Sequence, residues 1–461
     1  MKKLSPRRRL ERNWILYDVG NSAFTLLIST IMPIYFNYLA GEGGIDATTA
    51  TAYWGYAASI VTLCVAILGP TLGTLSDFSG YKRPIFFFFA IAGVLGCAAL
   101  GIPMPWLVFL VVFILTKIFY SASLVFYDSM LVDVTTHERA DDVSSKGYAW
   151  GYIGSCIPFI ISIVIVQFTP LNIAVSMPIA LAINALWWFG FTIPLMKSYR
   201  QTHFVPRTPH AVSDNFKRLF SVFSKKSDVQ NKKGIILFLV AFFLYIDGVY
   251  TIIDMATSFG TALGFDSTNL LLALLLTQVI AFPSAIVFGK LTGKVRNDVL
   301  ILVCIVAYTG IGLFAVFMTE VWQFWTLATA VGLFQGGVQA LSRSYFAKII
   351  PADQSGCLFG ILDIFGKGAA FLGTLLVSVV TQATDSVNLG AIPIVCLFAA
   401  GIAVFVVAAR VNRPYLAKQA ADDAAAAANA PLADPAAEDG AEGEAAAAED
   451  TPAADGDSAS D

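Results

Sequence analysis

The chain has 461 residues, of which 57% are hydrophobic and 13% charged, with a formal net charge of -3. Ordinary soluble domains carry about 25% charged residues, so this composition excludes them and points to a polytopic membrane protein. The charge is also divided, because residues after Arg413 hold 12 of the 32 acids and one base, leaving 28 bases against 20 acids, a net of +8, in residues 1–413.

The basic start (Lys2, Lys3, Arg7, Arg8, Arg9, Arg12) feeds a long apolar run. That run exceeds the roughly 7–15 residues of a signal-peptide core and is read as a resident first span. A bilayer core about 30 Å thick needs about 20 apolar residues per helix. On that ruler twelve spans are expected, near 14–40, 51–75, 84–102, 106–130, 146–168, 172–196, 234–260, 268–289, 298–318, 322–345, 356–382 and 389–411.

Apart from Lys117 and Lys367, the bases are read as lying in the termini and the even-numbered connections, while odd connections such as Gly41–Ala50 and Leu263–Ser267 have none. Positive residues collect on the cytoplasmic side, so a multi-pass protein of the cell membrane with both termini cytoplasmic is expected. The segments are then a basic N-terminus (1–13), a six-helix block (14–196), a cytoplasmic central loop (197–233), a second six-helix block (234–411) and an acidic, Ala-rich disordered tail (412–461). A short amphipathic piece at Phe216–Phe223 can lie along the inner membrane surface, or the loop is simply solvated and fixes topology.

The six cysteines fall in apolar runs without paired spacing and read as small buried residues rather than a disulfide framework. No metal and no cofactor is expected. The three histidines are all in loops, and no nucleophile, metal or cofactor spacing supports an enzyme.

Charge and glycine concentrate abruptly between the second and third runs, at Gly73–Pro84. Gly73 and Gly80 permit close helix approach and a tight turn. Asp77 lies just before the third span, where a helix N-terminus favours a carboxylate, and it can pair with a base from a neighbouring span. Lys82 and Arg83 are expected to anchor the turn at the cytoplasmic lipid surface. Such a cluster can latch two blocks together and release them. A second copy at Gly289–Arg296 keeps the glycine and the bases but has Gly293 in place of Asp77, so an asymmetric gate is expected.

The order Gly73, Leu75, Asp77, Gly80, Lys82, Arg83 resembles the loop signature of the major facilitator superfamily. The segments Tyr17–Phe24 and Gln339–Phe346 followed by Pro351, with small residues at Gly147, Gly151 and Gly154 and at Gly356, Gly360, Gly368 and Gly373, resemble its vacuole-effluxer branch, relatives of the autophagy-related vacuolar amino-acid exporter. The resemblance covers about residues 14–411. It implies an all-α integral membrane fold of twelve transmembrane helices in two pseudo-symmetric six-helix bundles, working by alternating access. It also implies that the first, fourth, seventh and tenth spans line a central cavity, which places Asp18, Asn21, Lys117, Asp247, Gln335 and Gln339 toward it. One departure is Phe78, where the superfamily has a base directly after the aspartate, so a latch must draw its cation from elsewhere.

Ionisable residues inside spans are costly and default to functional candidates. Lys117, Lys367 and Asp247 fall near the midplane of their spans. Lys367 has Asp363 four residues earlier, which predicts a structural ion pair, whereas Lys117 has no acid at helical spacing. Lys117 and Asp247 are therefore expected to receive the two ends of a zwitterionic substrate, with Asp18 or Asp247 exchanging a proton. The reading is a secondary transporter that exports a small polar solute such as an amino acid. A proton-linked drug or metabolite exporter and a non-transporting receptor or platform are the alternatives. The expected partners are a small-molecule substrate and the lipid bilayer, with no nucleic acid, and the expected state is a monomer.

Overall fold

A computed structural model describes residues 5–206 and 230–429. Phe216–Phe223 and the tail beyond 429 lie outside the described residues. Twelve long helices are present among the described residues. These are α1 (Pro6–Glu42), α2 (Ala47–Ser76), α3 (Lys82–Ala99), α4 (Trp106–Ser129), α5 (Ala140–Phe168), α6 (Ile173–Ser198), α7 (Lys232–Ala262), α8 (Ser267–Leu291), α9 (Asn297–Val316), α10 (Val321–Ile349), α11 (Ser355–Thr384) and α12 (Ile392–Asn429). A single helical turn, Leu131–Val134, follows α4.

Several helix starts are written into the local sequence. Ser5 caps α1 with Pro6 in its first turn, Asp46 caps α2, Asn172 caps α6, and Glu320 with Gln323 forms a capping box on α10, each meeting backbone N–H groups that have no partner inside the helix. Prolines inside helices, such as Pro33, Pro70, Pro158 and Pro283, are tolerated because neighbouring helices and adjacent groups satisfy the freed backbone. Large apolar side chains such as Phe88, Leu95, Leu107, Val303 and Val306 are exposed on the outer faces, as a lipid solvent requires. Eleven of the helices are long and apolar enough to cross a membrane by length and composition; α10 is diluted by Gln323, Gln335, Gln339 and Arg343.

Two helices run furthest past the expected span limits. α1 begins at Pro6, and α12 continues to Asn429, where a disordered tail was expected from 412. Alanine is the strongest helix former, which accounts for the continuation through the Ala-rich stretch. By contacts the chain divides into a compact unit, Met1–Pro414, and a second unit, Tyr415–Asp461.

Within the first unit the two halves repeat each other. At the end of α1, Ile45 N–H reaches back to Ala40 O over Gly44, and at the end of α7, Phe265 N–H reaches Gly260 O over Gly264. Both glycines have positive φ, at 77° and 84°, where a Cβ is disfavoured. Likewise the Tyr17 hydroxyl meets Ser123 Oγ at 2.9 Å between α1 and α4, and the Tyr245 hydroxyl meets Ser342 Oγ at 2.7 Å between α7 and α10. Tyr17 and Tyr245 are thus counterparts, and Asp18 and Asp247, one and two residues further on, are not.

The halves meet along two seams, α2 against α11 and α5 against α8. Glycine makes the first seam close: a Cβ on Gly73 would run into the carbonyl of Gly356, and one on Gly360 into the backbone of Gly69. In the second seam Gly289 of α8 faces Ser145 and Asp141 of α5.

Candidate transport site

At the end of the first unit where α1 begins, the Gly73–Pro84 loop locks onto the other half. Asp77 accepts the backbone N–H of Gly356 at 2.7 Å and that of Cys357 at 3.0 Å. These are among the first N–H groups of α11, which lack intrahelical acceptors and carry the positive end of the helix dipole. The carboxylate therefore sits on a helix N-terminus as expected, but on that of α11 rather than α3, and the helix end does the work expected of a cation.

Lys82 is not at the lipid surface. It is fully buried, donates to Ser355 Oγ at 2.8 Å and lies 3.6 Å from Asp133; a buried ammonium needs such partners. Arg83 donates twice to the carbonyl of Met196 at the end of α6. Gly80 takes φ 77° at the turn, and its N–H donates to Gln201 Oε1.

Residues following α6 brace this loop. Ser79 N–H donates to Val205 O, and Val205 N–H to Asp77 O. Asp133 gathers the Tyr199 hydroxyl at 2.6 Å, the backbone N–H of Thr202 and His203, and the His203 ring. Nothing in the local sequence around residue 200 signals this bracing, because its partners are more than 60 residues away.

On the other seam Lys348, at the end of α10, pairs with Asp141 at the start of α5. Asp141 also accepts from Asn297 at 2.6 Å, and Ser144 Oγ donates to Ala340 O. Both seams are closed at this end of the molecule.

Just above lies Arg343 of α10, 5% exposed. The expected tenth span, 322–345, contains it although the base distribution groups it with the connection that follows; the helix continues to Ile349 and buries it. Its guanidinium donates to Asp128 Oδ1 at 2.9 Å and to Ser144 Oγ and O, lies 3.6 Å from Asp18 Oδ2, and is flanked by the rings of Trp14 and Tyr148 at 4.6 and 4.3 Å. Arginine suits such a site, being permanently charged, forked and able to stack on aromatic rings. One base from the second half thus answers two acids of the first. Its place four residues after Gln339 and eight after Gln335, on one stripe of a helix, is the signal that could have found it.

Above Arg343 a cavity of about 500 Å³ opens between the halves. Charge of both signs lines it: Lys117 of α4, Asp254 of α7, and Asp363 with Lys367 of α11, over a floor of Asp128 and Arg343. Asp363 and Lys367 form an ion pair at 2.5 Å along α11. The electrostatic neighbours of Lys117 are Asp254 and Lys367. Aromatic walls come from Trp54, Phe113, Tyr120, Phe242 and Tyr250.

The expected cavity residues separate. Lys117 and Gln339 line the cavity, and the Tyr152 hydroxyl donates to Gln339 at 3.1 Å. Asn21 is buried and donates to Tyr17 O in its own helix, and Gln335 borders a smaller void between α7, α8 and α10. Asp247 does not face Lys117 across the cavity. It is fully buried between α7 and α11, where Gly373 N–H donates to Oδ1 at 2.8 Å. Sitting one residue beyond the position equivalent to Asp18, which Ile246 occupies, it is turned about 100° around the helix; Asp254, on the stripe with Ile246 and Tyr250, takes the cavity position.

Compared with known proteins, residues 43–137 and 132–414 match the model of the family described as vacuole effluxer Atg22 like. The chain belongs to this family. It is 41% identical over 402 residues to the uncharacterized MFS-type transporter YxiO of Bacillus subtilis, covering 86% of this chain and 93% of that one. It is 28% identical over 267 residues to autophagy-related protein 22-1 of Aspergillus niger, spanning 52% of this chain and 42% of the fungal protein. Among solved structures it resembles the human organic anion transporter MFSD10 (TM-score 0.68, 13% identity, 87% of this chain and all of that one). It also resembles FucP in its outward conformation (TM-score 0.66, 13% identity, 88% and 99%). The protein is a multi-pass membrane transporter with the major facilitator fold.

Proposed function

We propose that this transporter is a secondary exporter of a small zwitterionic solute of the amino-acid class. The observation that carries the reading is the cavity of about 500 Å³ holding Lys117 and Lys367 with Asp254 and Asp363 between the two halves. A carboxylate and an ammonium on one small molecule find opposite charges there in a low-dielectric wall, where each contact is stronger than in water. The resemblance to the autophagy-related relatives agrees with it. The base distribution supports a cytoplasmic position for the closed seams, and with it an outward-facing reading of this conformation.

Counterflow in proteoliposomes with a panel of labelled amino acids tests the reading. Exchange of at least one of them by the wild type, lost in a Lys117→Met protein that inserts normally, is the expected result. Normal exchange by Lys117→Met, or no exchange of any amino acid, overturns it.

A further inference from the structure

We propose that Asp247 is a proton-binding site that couples this transporter to a pH gradient through α11. Its two carboxylate oxygens are treated differently. Oδ1 accepts the Gly373 N–H at 2.8 Å and the Thr251 hydroxyl at 3.3 Å, while Oδ2 is buried with no hydrogen-bond partner. That division suits a neutral carboxylic acid, whose carbonyl oxygen accepts and whose other oxygen carries the proton.

No cation answers the carboxylate among the described residues. On α7 the other acid, Asp254, faces the cavity, and on α11 Lys367 is paired with Asp363. On α10 Arg343 pairs with Asp128 and Asp18, and Lys348 with Asp141. On α9 Asp298 pairs with Arg296 and Arg413, and on α8 Lys290 sits in the last turn, at the terminus end. The nearby phenol on α7, Tyr245, is taken by Ser342. An ionised carboxylate buried in a membrane protein without a counter-charge costs several kcal/mol, so one proton on Oδ2 is what makes this arrangement stable.

The position gives the proton something to move. Gly373 is in the middle of α11, and a Cβ there would strike Asp247 and Thr251, so α11 is seated directly on the acid. The N-terminus of the same helix is held by Asp77, and its Asp363 and Lys367 line the cavity. Losing the proton leaves a bare carboxylate that needs water, and water reaches Oδ2 when α11 draws away from α7. One proton bound and one released per cycle thereby links a pH gradient to the helix that bears both latch and cavity.

The inference rests on the transport reading above only for its substrate. In proteoliposomes, Asp247→Asn, which imitates the protonated acid, is expected to keep amino-acid exchange and to lose accumulation driven by a pH gradient. Infrared spectra of the membrane-embedded wild type are expected to show a protonated carboxylic-acid band that is absent from Asp247→Asn and displaced in Thr251→Val. Accumulation by Asp247→Asn equal to wild type, or drive by sodium in place of protons, overturns the proposal. If Asp247→Asn does not fold, the Thr251→Val spectrum decides, and an undisplaced band overturns it. Failure of the wild type to exchange any amino acid removes the substrate reading and leaves the infrared result standing.

Discussion

Asp77, at the C-terminal cap of α2, and Gly356 of α11 join the two halves through a carboxylate that accepts a helix's first N–H groups at 2.7 and 3.0 Å. The contact is possible because Gly356 has no side chain: a Cβ there would collide with Ser76 and Gly73 and crowd Asp77. Asp77→Asn keeps the size but loses the charge, and a helix-end charge is worth about 1 kcal/mol. The expected outcome is a shift toward a state in which this end of the α2–α11 seam is open, measured as faster labelling of single cysteines placed along the seam. Gly356→Val should shift it further.

Arg343 is predicted to be the most sensitive single side chain. Arg343→Ala leaves Asp18 and Asp128 facing each other without a base, and breaking a buried pair costs about 3–5 kcal/mol. Lower thermal stability and loss of transport are expected. The triple variant with Asp18→Asn and Asp128→Asn should regain stability in detergent melting assays, because the uncompensated charges are gone.

The repeated tyrosine–serine contacts give a matched test of pseudo-symmetry. Tyr17→Phe and Tyr245→Phe each remove one hydrogen bond at equivalent places, with a net cost of about 1 kcal/mol apiece. Similar drops in melting temperature are expected, additive in the double variant because the sites lie in different halves.

Deleting residues 418–461 separates a transporter from a docking platform. That stretch falls within the unit Tyr415–Asp461, distinct from the unit Met1–Pro414 that holds the seams and the cavity. Unchanged counterflow in proteoliposomes is the expected outcome.

The sequence by itself determined the class, the twelve hydrophobic segments and the glycine-rich turn at Gly73–Pro84, because a bilayer imposes a length and composition on every span and a tight turn between spans demands glycine. It also singled out Lys117, which lacks a partner at helical spacing, and the Asp363–Lys367 spacing, since i,i+4 neighbours are local facts. Tertiary structure alone decided which charges meet. Lys82 looked like a surface base and is buried against Ser355 and Asp133; Arg343 looked like a loop base and closes the cavity floor; Asp247 looked like a cavity residue and is seated under Gly373. Each of these partners is supplied by a helix far away in the chain. A step of one residue turns a side chain about 100° around its helix, so which neighbour it meets follows from how the helices pack.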